Sequence, residues 1–230
     1  MFQLNRAQFS ALILSFTLVV IPTYTYAAED GEVTEVSLLL QTNDILLIFP
    51  DSVTSTKVST AQVTWWQEFS ESLEARLSLS YIELSQKNNS SVLAYNATGY
   101  DIGIGFRGAV IKSEIVDVGL SVTLDYLSTT GETNLDEAIE ISWLEYSGSV
   151  DFEFIPSSPV TILAGASYTA IDGEHEVINT ANSLSSFSED ESAGYYGGLS
   201  FKSNDGGNVS LTWHGGHREG VYLTFSKRFR

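Results

Sequence analysis

From about residue 33 to the C-terminus, apolar and polar residues alternate with a period of two, and the three-and-four spacing of an amphipathic helix is nowhere sustained. Such a chain can bury one side of a strand but not one side of a helix. Leu73, Ala75, Leu77, Leu79 and Tyr81 oppose Glu74, Arg76, Ser78 and Ser80, and Tyr100, Ile102, Ile104 and Phe106 oppose Asp101, Gly103, Gly105 and Arg107. The same holds from Val116 to Tyr126, from Thr161 to Ala170 and from Val209 to His214. In the last strand Val221, Leu223, Phe225 and Phe229 share one parity and Tyr222, Thr224, Ser226 and Arg228 the other, with Lys227 on the apolar parity and Arg230 after the final aromatic. Between 138 and 154 the parity changes: Ile139, Ile141 and Trp143 are followed by Leu144, Tyr146, Val150, Phe152 and Phe154. A β-bulge near Trp143 is expected there, because it would restore one continuous apolar side.

The other end of the chain reads as an export signal over residues 1–27, with Arg6, an apolar core from Ala11 to Ile21, and Thr25 and Ala27 before a cleavage that leaves Ala28 first. No later stretch reaches the roughly 20 apolar residues a helix needs to cross a bilayer, so anything that spans must span as strands. The chain has no Cys, which excludes a disulfide framework and a lipid anchor on a cysteine. It carries 11 basic and 29 acidic residues, and losing Arg6 with the signal takes the formal charge from −18 to −19. A chain this acidic has no basic footprint for nucleic acid.

Short turns at 70–72, 112–115, 156–159 and 203–207 alternate with longer polar segments at 51–58, 85–97, 128–137 and 173–191. A transmembrane barrel has that asymmetry, with tight turns on one side of the membrane and long loops on the other. A soluble β-sandwich, the other fold that this composition allows, has no reason for it. Nine strands from residue 59 to the end, with a tenth from Val33 to Phe49, give an all-β, antiparallel up-and-down transmembrane β-barrel of about 10 strands, with 8 or 12 as alternatives. The expected organisation is a signal at 1–27 and one barrel domain at 28–230.

In the strand cores the apolar parity is nearly free of charge, and the polar parity carries Glu74, Arg76, Asp101, Arg107, Asp117, Asp125, Glu145, Asp151 and Glu153. A cation at the lipid-facing midplane costs about 2 to 4 kcal/mol, so these residues are expected in the lumen, the arginines as counter-ions of the acids. Trp65, Tyr81, Tyr100, Tyr126, Trp143, Tyr168 and Trp213 are expected in interfacial girdles, and Trp66 points inward by parity. His175 between Glu174 and Glu176, and His214 and His217 near the last outer connection, match no zinc spacing and are expected as solvated loop residues. The sequence implies no catalytic residue, no metal and no cofactor. The glycine pairs Gly103/Gly105 and Gly197/Gly198 lack the following helix and lysine of a nucleotide loop, and suit points of crowding between strands.

The chain resembles Gram-negative outer-membrane β-barrel proteins of the small porin-like class. The likeness is carried most specifically by Val221-Tyr222-Leu223-Thr224-Phe225-Ser226-Lys227-Arg228-Phe229, and the opening Ser37-Leu38-Leu39-Leu40-Gln41-Thr42-Asn43-Asp44 is similar to solitary autotransporter-like barrels. That resemblance implies integral residence in the outer membrane, contact with its lipid and lipopolysaccharide, and recognition of Val221, Leu223, Phe225 and Phe229 by the barrel-assembly machinery. It leaves three roles open: a structural or surface-interaction barrel with a filled lumen, a narrow channel for small solutes, and an envelope enzyme acting on lipid or protein through His214.

Overall fold

The computed structural model describes residues 34–50, 52–70, 73–87, 94–157, 159–178, 183–189 and 192–229. The expected signal, Ala28, Asn88, Asn89 and Arg230 lie outside the described residues. Eleven antiparallel strands are present among the described residues: β1 (Thr34–Phe49), β2 (Ser52–Ser70), β3 (Leu73–Gln86), β4 (Tyr95–Ile111), β5 (Val116–Thr133), β6 (Ala138–Ser157), β7 (Val160–Ile178), β8 (Ser183–Glu189), β9 (Ala193–Lys202), β10 (Gly207–Gly216) and β11 (Arg218–Phe229). Ten of them form a ring, in which each strand pairs with the next, β7 passes to β9, and β11 returns to β1 with Phe229 opposite Thr34 and Phe225 opposite Leu38. Closure leaves the ring no unpaired edge, as a sheet in lipid requires.

Thr34 and Phe229, opposite one another, lie at one end of the ring, here the turn end, where Lys112–Ile115 and Ser203–Gly206 make tight connections. The other end is the loop end. Three segments expected as loops are largely strand: 52–58 belongs to β2, 128–133 to β5, and 173–178 to β7, while 183–189 forms β8. The reason is length. A tilted strand crosses a bilayer with about 9 to 11 residues, whereas β2, β6 and β7 have 19, 20 and 19. Nearly half of each long strand therefore stands above the apolar band, at the loop end.

That excess explains the parity change at Trp143. No bulge occurs there: Trp143 pairs with Leu127 and Gly173, Leu144 with Tyr126 and Asp172, and the β6–β7 register shifts only between Phe154 and Ser157, at the turn end. What changes is the surroundings. Near the turn end the outside of the wall is apolar and the inside polar. Above Trp143 the outside meets water and the inside holds a dry core. Ile45, Leu47 and Phe49 of β1, Ile82 and Leu84 of β3, and Ile139 and Ile141 of β6 are all buried inward there. Trp143 is only 4% exposed and belongs to that core rather than to a girdle. Phe187 of β8 packs on it edge to face at 6.0 Å and on Phe49 at 5.3 Å.

β8 completes the wall where β9, β10 and β11 stop short. It pairs with β7 from Asp172 to Val177 and reaches β1 through Glu189 opposite Leu47 and Ser188 opposite Ile48.

The band below is bounded by aromatic rings. Tyr81 lies opposite Tyr100, whose β5 partner Ser128 is two residues from Tyr126. The partner of Tyr126 is Leu144, two from Tyr146; that of Tyr146 is Ala170, two from Tyr168; that of Tyr168 is Ala193, two from Tyr195; and that of Tyr195 is Gly215, two from Trp213. Every step runs toward the turn end. In a barrel of tilted strands such a regular offset keeps the rings at one level, so they form a belt around the wall. Below it Leu77, Ile102, Ile104, Val122, Leu211 and Phe225 are exposed on the outside. An apolar surface that encircles a protein belongs in lipid.

Candidate functional site

The lumen is the candidate site, and period-two alternation places its polar side chains. Three layers succeed one another from the turn end upward. At the turn-end mouth Arg107 and Arg228 both bind Glu35 and Glu74. Arg107 Nη2 donates to Glu35 at 2.9 Å, Arg228 Nε donates to Glu35 at 2.8 Å and Arg228 Nη2 to Glu74 at 3.3 Å, and Arg107 is also paired with Glu74. Two cations and two carboxylates thus form a neutral set that ties β1, β3, β4 and β11 across the opening. Trp66 points inward beneath it, with the Arg107 guanidinium 4.2 Å from its ring centroid, a cation–π contact.

The middle layer holds separate pairs. Arg76 bonds Asp125 at 3.1 and 3.2 Å, with both side chains largely buried, and Ser78 donates to the same carboxylate at 3.3 Å. Gly103 lies between them, and a Cβ there would sit on the Asp125 carboxylate and close to Ser78 Oγ. Arg218 bonds Glu145 at 2.6 Å and approaches Glu189 at 3.9 Å. Across the lumen Tyr196 donates to Asp151 at 2.6 Å, crossing Gly165, where any side chain would collide with the tyrosine ring. Asp101 accepts from Ser80 at 2.8 Å. The third layer is the apolar core of the loop end.

The nine charged residues expected inside share the inward parity of their strands, with Glu153 near the turn end bonded to Lys202 at 2.9 Å. Asp117 lies directly opposite Glu153 at the turn end. It accepts the backbone N–H of Ser113 at 3.1 Å in the exposed turn between β4 and β5. Sequence reasoning missed Glu35, Glu189, Arg218 and Arg228 as partners, although the parity of Tyr222 and Thr224 extended along β11 reaches both arginines. Arg218 was hidden because 214–219 reads as a loop; in the fold, His217 alone separates β10 from β11.

The histidines are not solvated loop residues. His175 lies on β7, points inward, and packs on Tyr95 at 5.7 Å and Phe49 at 6.0 Å. His214 stacks on Tyr222 at 3.7 Å and Tyr196 at 5.0 Å inside the lumen and bonds Thr212 at 3.0 Å, while His217 bonds Thr169 at 3.1 Å. Among the described residues no three His, Asp or Glu side chains are grouped to hold a metal ion.

On the outside, Val221, Leu223, Phe225 and Phe229 share the lipid-facing parity of the closing strand. Lys227 has the same parity but lies near the turn end, where it bonds Asp205 at 2.7 Å. That bond, the Ser203 hydroxyl and the Gly207 N–H hold the Asp205 carboxyl below its ordinary range.

A closed antiparallel ring with a lipid-facing belt, an aromatic girdle and a charged lumen is the architecture of the outer-membrane β-barrel class. No family model matches the chain, and no curated protein matches it. Among solved structures it is similar in fold to an outer membrane channel from Pseudomonas putida F1, at 8% identity over 89% of this chain and 98% of that one with a TM-score of 0.49. The outer membrane protease OmpT from Escherichia coli is 7% identical over 89% and 97%, with a TM-score of 0.48. The translocator domain of the autotransporter NalP from Neisseria meningitidis is 11% identical over 96% and 96%, with a TM-score of 0.46. These are likenesses of architecture.

Proposed function

We propose that this protein is an integral outer-membrane barrel whose role is structural or surface-interacting and whose lumen does not conduct. The observation that carries the reading is the apolar core of the loop end. Side chains of β1–β7 and Phe187 of β8 bury one another across the upper lumen, and such an apolar core disfavours a water-filled passage. The charged set at the turn-end mouth adds a second restriction.

Function then falls to the surface above the girdle, which is acidic. Asp44, Glu132, Glu140, Asp172, Glu174 and Glu219 face outward there. Two like-charged pairs stand directly opposite one another across strands, Asp44 with Glu219 and Glu140 with Glu176, although Asp44 also has Lys57 opposite it on β2. Such pairs are destabilising by themselves, and a surface that keeps them suits the divalent cations that bridge lipopolysaccharide phosphates. Planar-bilayer recording of the purified protein tests the reading. The expected result is no steady single-channel conductance, and stable ohmic channels would overturn it.

A further inference from the structure

Between the middle charged layer and the apolar core lies a cavity of about 210 Å³, whose walls include Asn43, Arg76, Asp101, Glu145, Arg218 and Trp143. Its size exceeds the roughly 150 Å³ that holds a benzene molecule in a protein core. Three polar side chains on its wall carry atoms with no hydrogen-bond partner among the described residues: Asn43, Asp101 and Arg218, whose Nε lies 3.9 Å from Glu189. Asn43 is 2% exposed, and neither its Oδ1 nor its Nδ2 has a partner among the described residues. Asp101 is 6% exposed; its Oδ2 accepts from Ser80, and its Oδ1 has no partner among the described residues. The other two acids of this wall each have an arginine, Asp125 with Arg76 and Glu145 with Arg218. Asp101 forms no ion pair among the described residues.

The ligand chemistry follows by elimination. An anion would face three carboxylates against two arginines that are already paired. A metal ion lacks a grouped set of ligands among the described residues, and the two guanidiniums share its wall. A neutral apolar molecule leaves the Asp101 and Asn43 oxygens as they are. An ammonium group supplies a donor to the Asp101 oxygen, since it carries three N–H bonds. The remaining volume lies against Val58, Ile82, Leu127 and Trp143, an apolar ceiling suited to a short hydrocarbon tail.

We infer that this cavity binds a small organic amine, with its ammonium on Asp101 and its tail beneath the loop-end core. Entry is from the turn end, because the core above is closed while Arg107 and Arg228 at the mouth are part-exposed. The inference extends the closed-barrel reading and is separable from it: bilayer conductance would defeat that reading and leave amine binding intact.

Isothermal titration of the purified full chain in detergent micelles tests it, with benzylammonium chloride as the probe, benzyl alcohol as its neutral counterpart, and empty micelles subtracted. The expected result is saturable binding of benzylammonium, at least tenfold weaker binding of benzyl alcohol, and at least a tenfold loss in Asp101→Asn. No saturable binding, equal affinity for the two probes, or an unchanged Asp101→Asn would overturn it. Should Asp101→Asn fail to fold, the comparison of charged and neutral probes on the wild-type protein decides alone. Displacement of benzylammonium by sodium chloride, but not by choline chloride of equal ionic strength, would make the occupant an inorganic cation and also overturn the inference.

Discussion

Replacing Arg76 with Ala removes the arginine bonded to Asp125 and leaves that carboxylate in a wall it shares with Asp101 and Glu145. Both partners are close to nine-tenths buried, 10% and 13% exposed at the side chain, so solvent does little to screen the orphaned charge. Breaking a buried pair from one side costs about 3 to 5 kcal/mol. For a domain of this size each kcal/mol moves the melting point by about 2 to 4 °C, which puts the expected drop at roughly 6 to 20 °C. Arg107→Ala is the internal comparison. Arg107 is 30% exposed and Arg228 still binds both Glu35 and Glu74 after its removal, so the loss should be clearly smaller. The double variant Arg76→Ala/Asp125→Ala should recover much of the stability, since the uncompensated charge leaves with its partner. The assay is the temperature at which the folded, fast-migrating gel band is lost, or urea unfolding in lipid vesicles. An Arg76→Ala protein as heat-resistant as wild type, or an Arg107→Ala protein losing as much, would refute the reasoning.

Gly103→Ala should act on the same pair by displacing the Asp125 carboxylate from Arg76 and Ser78; in the Arg76→Ala background its additional cost should shrink, and a double-variant cycle reads the difference. Phe187→Ala removes the ring that β8 inserts between Phe49 and Trp143, and a buried Phe→Ala change costs about 3 to 5 kcal/mol; faster proteolysis within 178–192 with an intact band below would bear that out, and unchanged protection would not. Phe229→Ala should lower the membrane-inserted fraction more than Lys227→Leu does, because Phe229 faces lipid and Lys227 sits at the turn end on Asp205; equal insertion of the two variants would detach Phe229 from assembly.

Much of the wall was legible in the sequence because a strand between lipid and lumen has two unlike faces. Leu77 and Leu79 against Arg76 and Ser78, or Ile102 and Ile104 against Asp101 and Gly103, assign outside and inside without further information. The loop-end half was illegible for a related reason: period two reports that two faces differ, not which face is wet. Above the girdle the wet face is outside, so Trp143 reads as a member of the outer set while lying inside. Thr133 is a further case, expected at an accessible loop tip but buried, because its hydroxyl accepts the backbone N–H groups of Leu135 and Glu137. β8 was hidden because Ser183–Glu189 contributes only Phe187 to the core and has no apolar repeat to announce it. In the lumen, charge balance needed partners from four strands that are remote in sequence. Arg107 finds Glu35 72 residues away, and no local pattern encodes that.

A single-cysteine scan along β6, read with a membrane-impermeant maleimide on the protein in lipid vesicles, tests the two-environment wall most directly. Residues 140 and 150 share the outward parity, and 139 and 141 the inward one. The account predicts rapid labelling of Glu140→Cys, none of Val150→Cys because it faces lipid, and none of Ile139→Cys or Ile141→Cys because they lie in a dry core. Labelling of Val150→Cys would place the belt in water, and labelling at 139 and 141 would make the upper lumen a wet passage; either result contradicts the account.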